Sequence, residues 1–312
     1  MMKYLVGARG SQLSLAQTNW VISELKKKNS QAEFEIIPIT TKGDTDARPL
    51  FTINQKGIFE KEIDKAVAEK KVDFAVHSLK DVPAELPDDL VLACIPKREP
   101  ANDIFISKDG TTLDAIKKGA VIGTSSLRRA VQVSRQRPDL IVKPIRGNIE
   151  TRIKKIGEGK FDGIVLAQAG IQRLGLDIKF EKLSVETFTP SPGQGALAIV
   201  ARKDNHNVLE LLKKIEDQVS RNAVEAERSL SMFVDSGCRF PVGALAHQNG
   251  NKLTLSVTVY SVDGSKFIAV KQDAGSDQAK ELGRQVASEL SAKGIEELAK
   301  NWREKVEEWN KK

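Results

Sequence analysis

Three pairs of segments echo one another in the same order, and this repetition limits the possible folds more than any other feature of the chain. "YLVGARGSQLSLAQTNWVISELK" from Tyr4 resembles "AVIGTSSLRRAVQVSRQR" from Ala120. Each is an apolar strand, a glycine, a polar turn with serine, and a helix. "FEIIPITTKGD" from Phe34 matches "LIVKPIRGN" from Leu140, both with Pro-Ile before a basic-Gly turn. "EKEIDKAVAEKKVDFAVHS" matches "IETRIKKIGEGKFDGIVLAQ", with Lys71-Val-Asp73 and Lys160-Phe-Asp162 ahead of a short apolar strand. Chance readily supplies one such pair, but three in register point to a duplicated plan. Strands alternating with amphipathic helices imply βαβ units around a parallel sheet.

The first two thirds of the chain are therefore expected to form two similar, hinged α/β domains. The joints "IPKREPAND" and "TPSPGQG" each separate two strand-like runs, so the chain is expected to cross between the domains twice. This assigns 1–98 and 196–216 to the first domain and 99–195 to the second. From about Ser220 the pattern changes: the helix "AVEAERSLSMF", alternating strands in "KLTLSVTVYSV" and "KFIAVKQD", and a long amphipathic helix from about Asp277. Residues 217–312 are expected to form a small α+β domain with an antiparallel sheet. The run Lys42 to Gly57 has little periodicity and reads as a lid.

In open α/β sheets, ligands bind beyond the carboxyl ends of the strands, where the polar turns "GARGS", "TTKGD", "HSLKD", "GTSSLRR", "IRGN" and "QAGIQR" fall. Two facing sheets would form a cleft lined by Arg9, Lys80, Arg128, Arg129, Arg146, Arg152 and Arg173. Arg128 and Arg129 follow Ser125 and Ser126 at the start of a helix, where the macrodipole is already positive and a cation forfeits about 0.3–1 kcal/mol. A solvated helix face is the commoner fate of an Arg pair. At this location the residues point instead to a bound anion, and paired guanidinium forks suit a ligand with several carboxylates.

The charge balance agrees with an acidic partner: 49 Lys and Arg against 42 Asp and Glu, a net +7. Nucleic acid is not expected, because only 5% of residues are aromatic and none interleaves with the arginines. No apolar run approaches the roughly 20 residues of a membrane helix. The opening "MMKYLVGARG" has three apolar residues before a glycine, too few for an export signal, so a cytoplasmic location is expected. Cys94 and Cys238 are too far apart to form a metal or redox pair by spacing, and no metal is expected. Cys94, within "VLACI", reads as core. Cys238 follows a glycine and precedes Arg239 in a loop, which favours a thiolate nucleophile over a buried small hydrophobe. Asp81 follows Lys80 at a strand end. Alone the pair is a surface turn, but in a cationic cleft Asp81 would stay ionised and serve a cationic centre or a leaving amine. His77 reads as structural.

Taken together, "TKGD", "KGIFEKE", "DFAVHSLKDVP", "IGTSSLRR", "IRGN…TR", "FDGIVLAQAGIQRLG", "PGQGALAI" and "AERSL…GC…PVGA" make the chain resemble the porphobilinogen deaminase (hydroxymethylbilane synthase) family. The motifs run in family order to about Ala244, and "HSLKDVP" with "GTSSLRR" is highly specific. The resemblance implies a transferase that joins four porphobilinogen molecules head to tail, releasing ammonia at each addition and finally linear hydroxymethylbilane. It implies a dipyrromethane cofactor bound through a thioether to Cys238, and a catalytic carboxylate at Asp81 that assists amine loss and stabilises the azafulvene cation. Lys80, Asp81, Ser126, Arg128, Arg129 and Gly147 match positions around that cofactor. Arg9, Ser11, Lys56, Arg146, Arg152, Arg173 and Gln194 match substrate, cleft or lid positions. Each substrate brings two carboxylates, which accounts for the number of arginines. A monomer that passes its product to uroporphyrinogen-III synthase is also implied.

The chain departs from the family at Ser236-Gly237-Cys238, where Gly-Gly-Cys is usual, at Ser220 in place of a linker threonine, and in a lid without its glycine pair. None of these removes a charge. The rival reading is a non-catalytic anion-binding protein, since solute-binding proteins also use hinged two-domain clefts.

Overall fold

The computed structural model describes residues 2–45, 60–234, 241–300, 304 and 307. The chain starts with β1 (Lys3–Arg9), α1 (Gln12–Lys28), β2 (Glu33–Ile39), the single turn α2 (Lys42–Thr45), α3 (Lys61–Ala68), β3 (Phe74–Ser78) and β4 (Leu90–Cys94). It continues with β5 (Asp103–Ser107), β6 (Val121–Thr124), α4 (Leu127–Gln136), β7 (Ile141–Pro144), α5 (Ile149–Gly157), β8 (Gly163–Ala167), α6 (Gln168–Arg173) and β9 (Glu181–Lys182). Then come β10 (Leu197–Arg202), α7 (His206–Lys213), α8 (Gln218–Val234), β11 (Val242–Asn249), β12 (Lys252–Tyr260), β13 (Phe267–Gly275), α9 (Ala279–Ala292) and α10 (Ile295–Ala299).

The repetition read from the sequence is visible in the sheets. The first has strand order β2-β1-β3-β10-β4 and the second β7-β6-β8-β5-β9, the same plan strand for strand. The match extends to single hydrogen bonds. Asp73 accepts from the Leu5 backbone N–H at 2.8 Å, and Asp162 accepts from that of Val121 at 2.8 Å, so both echoing Lys-x-Asp turns pin the first strand of their unit. The helix starts correspond too. Ser11 caps α1 and Ser126 caps α4, each accepting from the backbone N–H three residues on.

The sheets are mixed, which corrects the expectation of parallel ones. β10 runs antiparallel to both β3 and β4, and β5 runs antiparallel to both β8 and β9. Both odd strands follow a crossover from the other domain, so they enter their sheet against the direction of its βαβ units. Periodicity reports how a strand is buried but carries no information on its direction. The segment read as a lid starts with the helical turn α2; the remainder of it lies within residues 46–59, outside the described residues.

Both sheets are covered on two faces, as buried βαβ sheets require. In the first, Val6, Phe74 and Ile199 pack under Val21 and Leu25 of α1 and Leu211 and Leu212 of α7, while Ala75 and Val200 meet Ile63 and Val67 of α3. In the second, Phe105, Ile122 and Val165 pack under Val133 of α4, and Ile104 and Ile164 meet Ile156 and Ile171. The neighbours Ile104 and Phe105 thus face opposite layers, as the two-residue strand period dictates. The third sheet is the antiparallel meander β11-β12-β13. Leu253, Leu255, Val257 and Val259 alternate onto one face against Leu230 of α8 and Leu282, Val286 and Leu290 of α9.

The crossovers lie side by side. The Glu99 backbone N–H donates to the Gly195 carbonyl at 3.2 Å. Gly195 has φ +85°, and an added Cβ would lie 2.4 Å from the Glu99 oxygen, so only glycine fits there. Arg98 fastens the joint to the third domain, with a two-pronged ion pair to the fully buried Glu227 at 2.7 and 3.1 Å and an Nε bond to the Gln194 carbonyl at 2.9 Å.

Candidate active site

The strand ends and helix starts around these joints carry most of the cations picked out in the sequence. β3 runs into a 3₁₀ turn, Leu79–Asp81, that presents Lys80 and Asp81 toward solvent. Ser78, at its start, is held by Gln17 of α1 at 2.9 Å. The joint supports the turn from behind. The Leu79 N–H donates to the Ala196 carbonyl at 3.1 Å, and a Cβ added at Gly193 would lie 2.9 Å from Leu79 Cδ2.

Arg128 and Arg129 are both buried at the start of α4, and the anion beside them belongs to the chain itself. Asp103, the first residue of β5 and fully buried, takes Arg128 Nη1 at 2.8 Å on one oxygen and Arg129 Nε at 2.9 Å on the other. Burial alone would raise the Asp103 pKa, but the two guanidiniums outweigh it and hold the carboxyl far below its usual range. Gln194 locks the arrangement, donating to Asp103 at 2.8 Å and to the Ala101 carbonyl at 2.6 Å while accepting from Arg129 at 3.1 Å. Arg128 also reaches the Thr189 carbonyl at 2.8 Å and Gln132 at 2.7 Å. The sequence reading does not single out Asp103. Its signal is an acidic residue opening the apolar strand "DIFIS", where a lone buried carboxylate requires a cation.

One carboxylate against two guanidiniums leaves the cluster positive, and further cations extend it. Burial first, and the Arg129 charge second, push Lys80 down to about 8 against the opposing pull of Asp81 and Asp103. Lys80 is solvent-exposed even though protein flanks it. Water softens the shift, and its direction reflects the crowd of cations. Arg152 is half-buried and pushed down to about 10 by burial and then by Arg129 and Arg146. It stays protonated at neutral pH, with Nε on the Gly147 carbonyl at 2.8 Å. Gly147, at φ +113°, turns the chain between Arg146 and the Asn148 cap of α5. Burial also lowers Arg173 to about 10, and its guanidinium donates to the Gly195 carbonyl at 2.6 Å. No ion pair among the described residues joins Lys80, Arg152 or Arg173 to a carboxylate.

The structure thus brings Lys80, Asp81, Arg128, Arg129, Arg146 and Arg152 into one field, with Gln194 inside it and Arg173 at the joint. Arg9 is half-buried at the end of β1 and Ser11 caps α1, whose first turn approaches α6 through Leu13 and Gly170. Lys56 and Cys238 lie outside the described residues. Cys94 is buried, and its thiol is pushed up by burial and the nearby Glu216. His77 is buried against Asp64 at 2.9 Å.

The donor set fits a dipyrromethane bearing four carboxylates. Among the described residues, Arg128 and Arg129 share the one carboxylate of Asp103, and the buried Nε of Arg128 has no hydrogen-bond partner.

Two α/β sheets joined by paired crossovers, with Lys80, Arg128, Arg129 and Arg152 clustered near the exposed Asp81, define a mixed α/β protein with a strongly basic site. Among solved structures, a periplasmic binding protein from Salmonella typhimurium is similar at TM-score 0.38 and 14% identity, over 71% of this chain and 94% of that chain. The chain belongs to the porphobilinogen deaminase family, transferases of tetrapyrrole synthesis. Residues 4–210 match the model described as "Porphobilinogen deaminase, dipyromethane cofactor binding domain", and residues 222–292 match "Porphobilinogen deaminase, C-terminal domain". A protein of Nitrosopumilus maritimus named "Probable porphobilinogen deaminase" is 68% identical over 99% of this chain and 100% of its own length. "Porphobilinogen deaminase" of Brevibacillus brevis is 46% identical over 94% and 96%.

Proposed function

We propose that this chain polymerises four porphobilinogen molecules into linear hydroxymethylbilane, with Asp81 as the catalytic carboxylate. The observation that carries this is the Lys80–Asp81 turn, braced by the interdomain joint and near Arg128 and Arg129, which share one carboxylate among the described residues. At each addition the substrate's aminomethyl C–N bond breaks and a C–C bond forms to the last ring of the chain, which gives up a proton as ammonia leaves. Asp81 is the group placed to hold cationic nitrogen and to carry that proton. Lys80, Arg146 and Arg152 hold acetate and propionate groups, with Arg9 and Arg173 at the flanks. Arg128 and Arg129, already on Asp103, contribute through field and orientation. Ser11, Ser126, Gly147 and Gln194 shape the walls, and Lys56 serves from the lid segment. When bound through a thioether at Cys238, the dipyrromethane supplies the pyrrole carbon on which the chain is built. Water releases the finished product.

The same reading places the domain limits at 1–98 with 196–216, 99–195 and 217–312, supported by the change of sheet between β4 and β5 and between β9 and β10. It makes the protein a cytoplasmic monomer whose product passes to uroporphyrinogen-III synthase. No helix among the described residues is long and apolar enough to cross a membrane.

Intact mass of the purified protein and of Cys238→Ser tests the reading. Wild type should carry the added mass of a dipyrromethane, directly or after incubation with porphobilinogen, and the variant should not. If neither gains mass and neither consumes porphobilinogen, the chain is a non-catalytic anion-binding protein.

A further inference from the structure

The turn bearing Asp81 is gripped from a direction that the mechanism above does not use. Arg228, on α8 in the third domain, aims its guanidinium at three successive carbonyls just after the turn. Nη1 donates to Val82 at 3.4 Å, and Nη2 donates to Pro83 and to Ala84 at 2.8 Å each. No ion pair among the described residues involves Arg228, so its charge is spent on the backbone of one loop. Burial, and then the nearby Arg221, push its pKa down, so the position is costly for a cation.

The loop it grips is packed through Val82, buried with Leu79, Ile95 and Val224, and through Leu86, but its backbone has few bonds among the described residues. Among the described residues, Val82 donates only back to Leu79, at 3.0 Å, and Pro83 and Pro87 have no N–H to give. The preceding residue on α8 grips the opposite side. Glu227 accepts from the Gly193 N–H at 2.6 Å, and Gly193 packs against Leu79 and the Lys80 backbone. Glu227 also accepts from the Ala246 N–H of β11 at 2.8 Å. Neighbouring side chains of one helix therefore hold the Asp81 turn from both ends. That helix ends at Val234, four residues before Cys238 and about 9 Å along its axis from Arg228.

We infer that Arg228 is a positioning residue for Asp81, fixing the carboxylate's turn to the helix that leads to Cys238. This rests on the proposed function. It assigns to the third domain a role in aligning the reacting carboxylate, in addition to carrying the cysteine. The guanidinium fork is required because it spans adjacent carbonyls at once, whereas an ammonium is a point charge that can hold only part of the set.

The test uses the cofactor-loaded protein, its Arg228→Gln and Arg228→Lys variants, porphobilinogen turnover and backbone hydrogen exchange across residues 79–86. Arg228→Gln should lower kcat on the order of 10- to 100-fold, the penalty for small misplacement of a reacting group. Its KM should stay within about twofold, because no carboxylate-binding cation is lost. Exchange in 79–86 should quicken while that in the two sheets stays as in wild type, and intact mass should show the dipyrromethane retained. Arg228→Lys should fall between. If Arg228→Gln does not fold, Arg228→Lys decides alone, through its kcat and its exchange in 79–86. Wild-type kcat and exchange in the variants overturn the inference, as does a rise in KM without loss of kcat. Failure of the wild type to consume porphobilinogen would instead overturn the proposed function.

Discussion

The arginines at the start of α4 and the cations around Lys80 and Arg152 belong to one field but are held in different ways. Arg128 and Arg129 are buried, share Asp103, and are cross-braced by Gln194 and the Thr189 carbonyl. Lys80 and Arg152 border solvent, form no ion pair among the described residues, and are depressed by burial and like charge. The first group is largely satisfied when the chain folds, so its loss should be felt as stability. The second remains short of negative charge, so its loss should be felt at the substrate. The cation cluster is thus two devices, a foundation braced on one internal carboxylate and a rim with none.

Removing the foundation's anion is the severest way to break this contrast. Asp103→Asn leaves two buried guanidiniums without a counter-charge, a loss of about 3–5 kcal/mol, visible in thermal unfolding as a fall of roughly 10 °C. At the rim, Arg152→Gln should raise the KM for porphobilinogen about ten- to a hundredfold, the loss of a charge-assisted contact, with melting little changed. The smallest effect is a pH dependence. Lys80 has its folded pKa depressed below the unfolded value of 10.5. The unfolded chain therefore binds the extra proton between about pH 8 and 10.5, and Lys80's contribution to stability rises with pH across that window. In Cys238→Ser the melting profile should rise in this window relative to Cys238→Ser combined with Lys80→Met. In the loaded protein, added carboxylates should raise the Lys80 pKa and flatten the difference.

Much of the first group's setting was legible in the sequence. The echo of Lys71-Val-Asp73 in Lys160-Phe-Asp162 predicted equivalent strands, and the two aspartates make equivalent bonds. The echo includes a serine turn before each helix, and Ser11 and Ser126 both prove to be caps. The direction of β5 and β10 was not legible, because alternation records which face a residue occupies and not which way the strand runs. Asp103 was hidden for a related reason. Its partners are about 25 residues away in sequence and meet it only when β5 enters the second sheet from the opposite end. Arg228 reads in the sequence as one more charge on an amphipathic helix. Its role depends on three carbonyls about 145 residues away, which no spacing rule could bring together.

The most direct test is to measure thermal unfolding and porphobilinogen saturation on Asp103→Asn and Arg152→Gln side by side. The division into foundation and rim predicts a large fall in melting temperature for the first with little for the second, and a large rise in KM for the second at near-wild-type stability. If Asp103→Asn melts like wild type, or if Arg152→Gln loses stability while its KM is unchanged, the two groups are not distinct and the account is wrong.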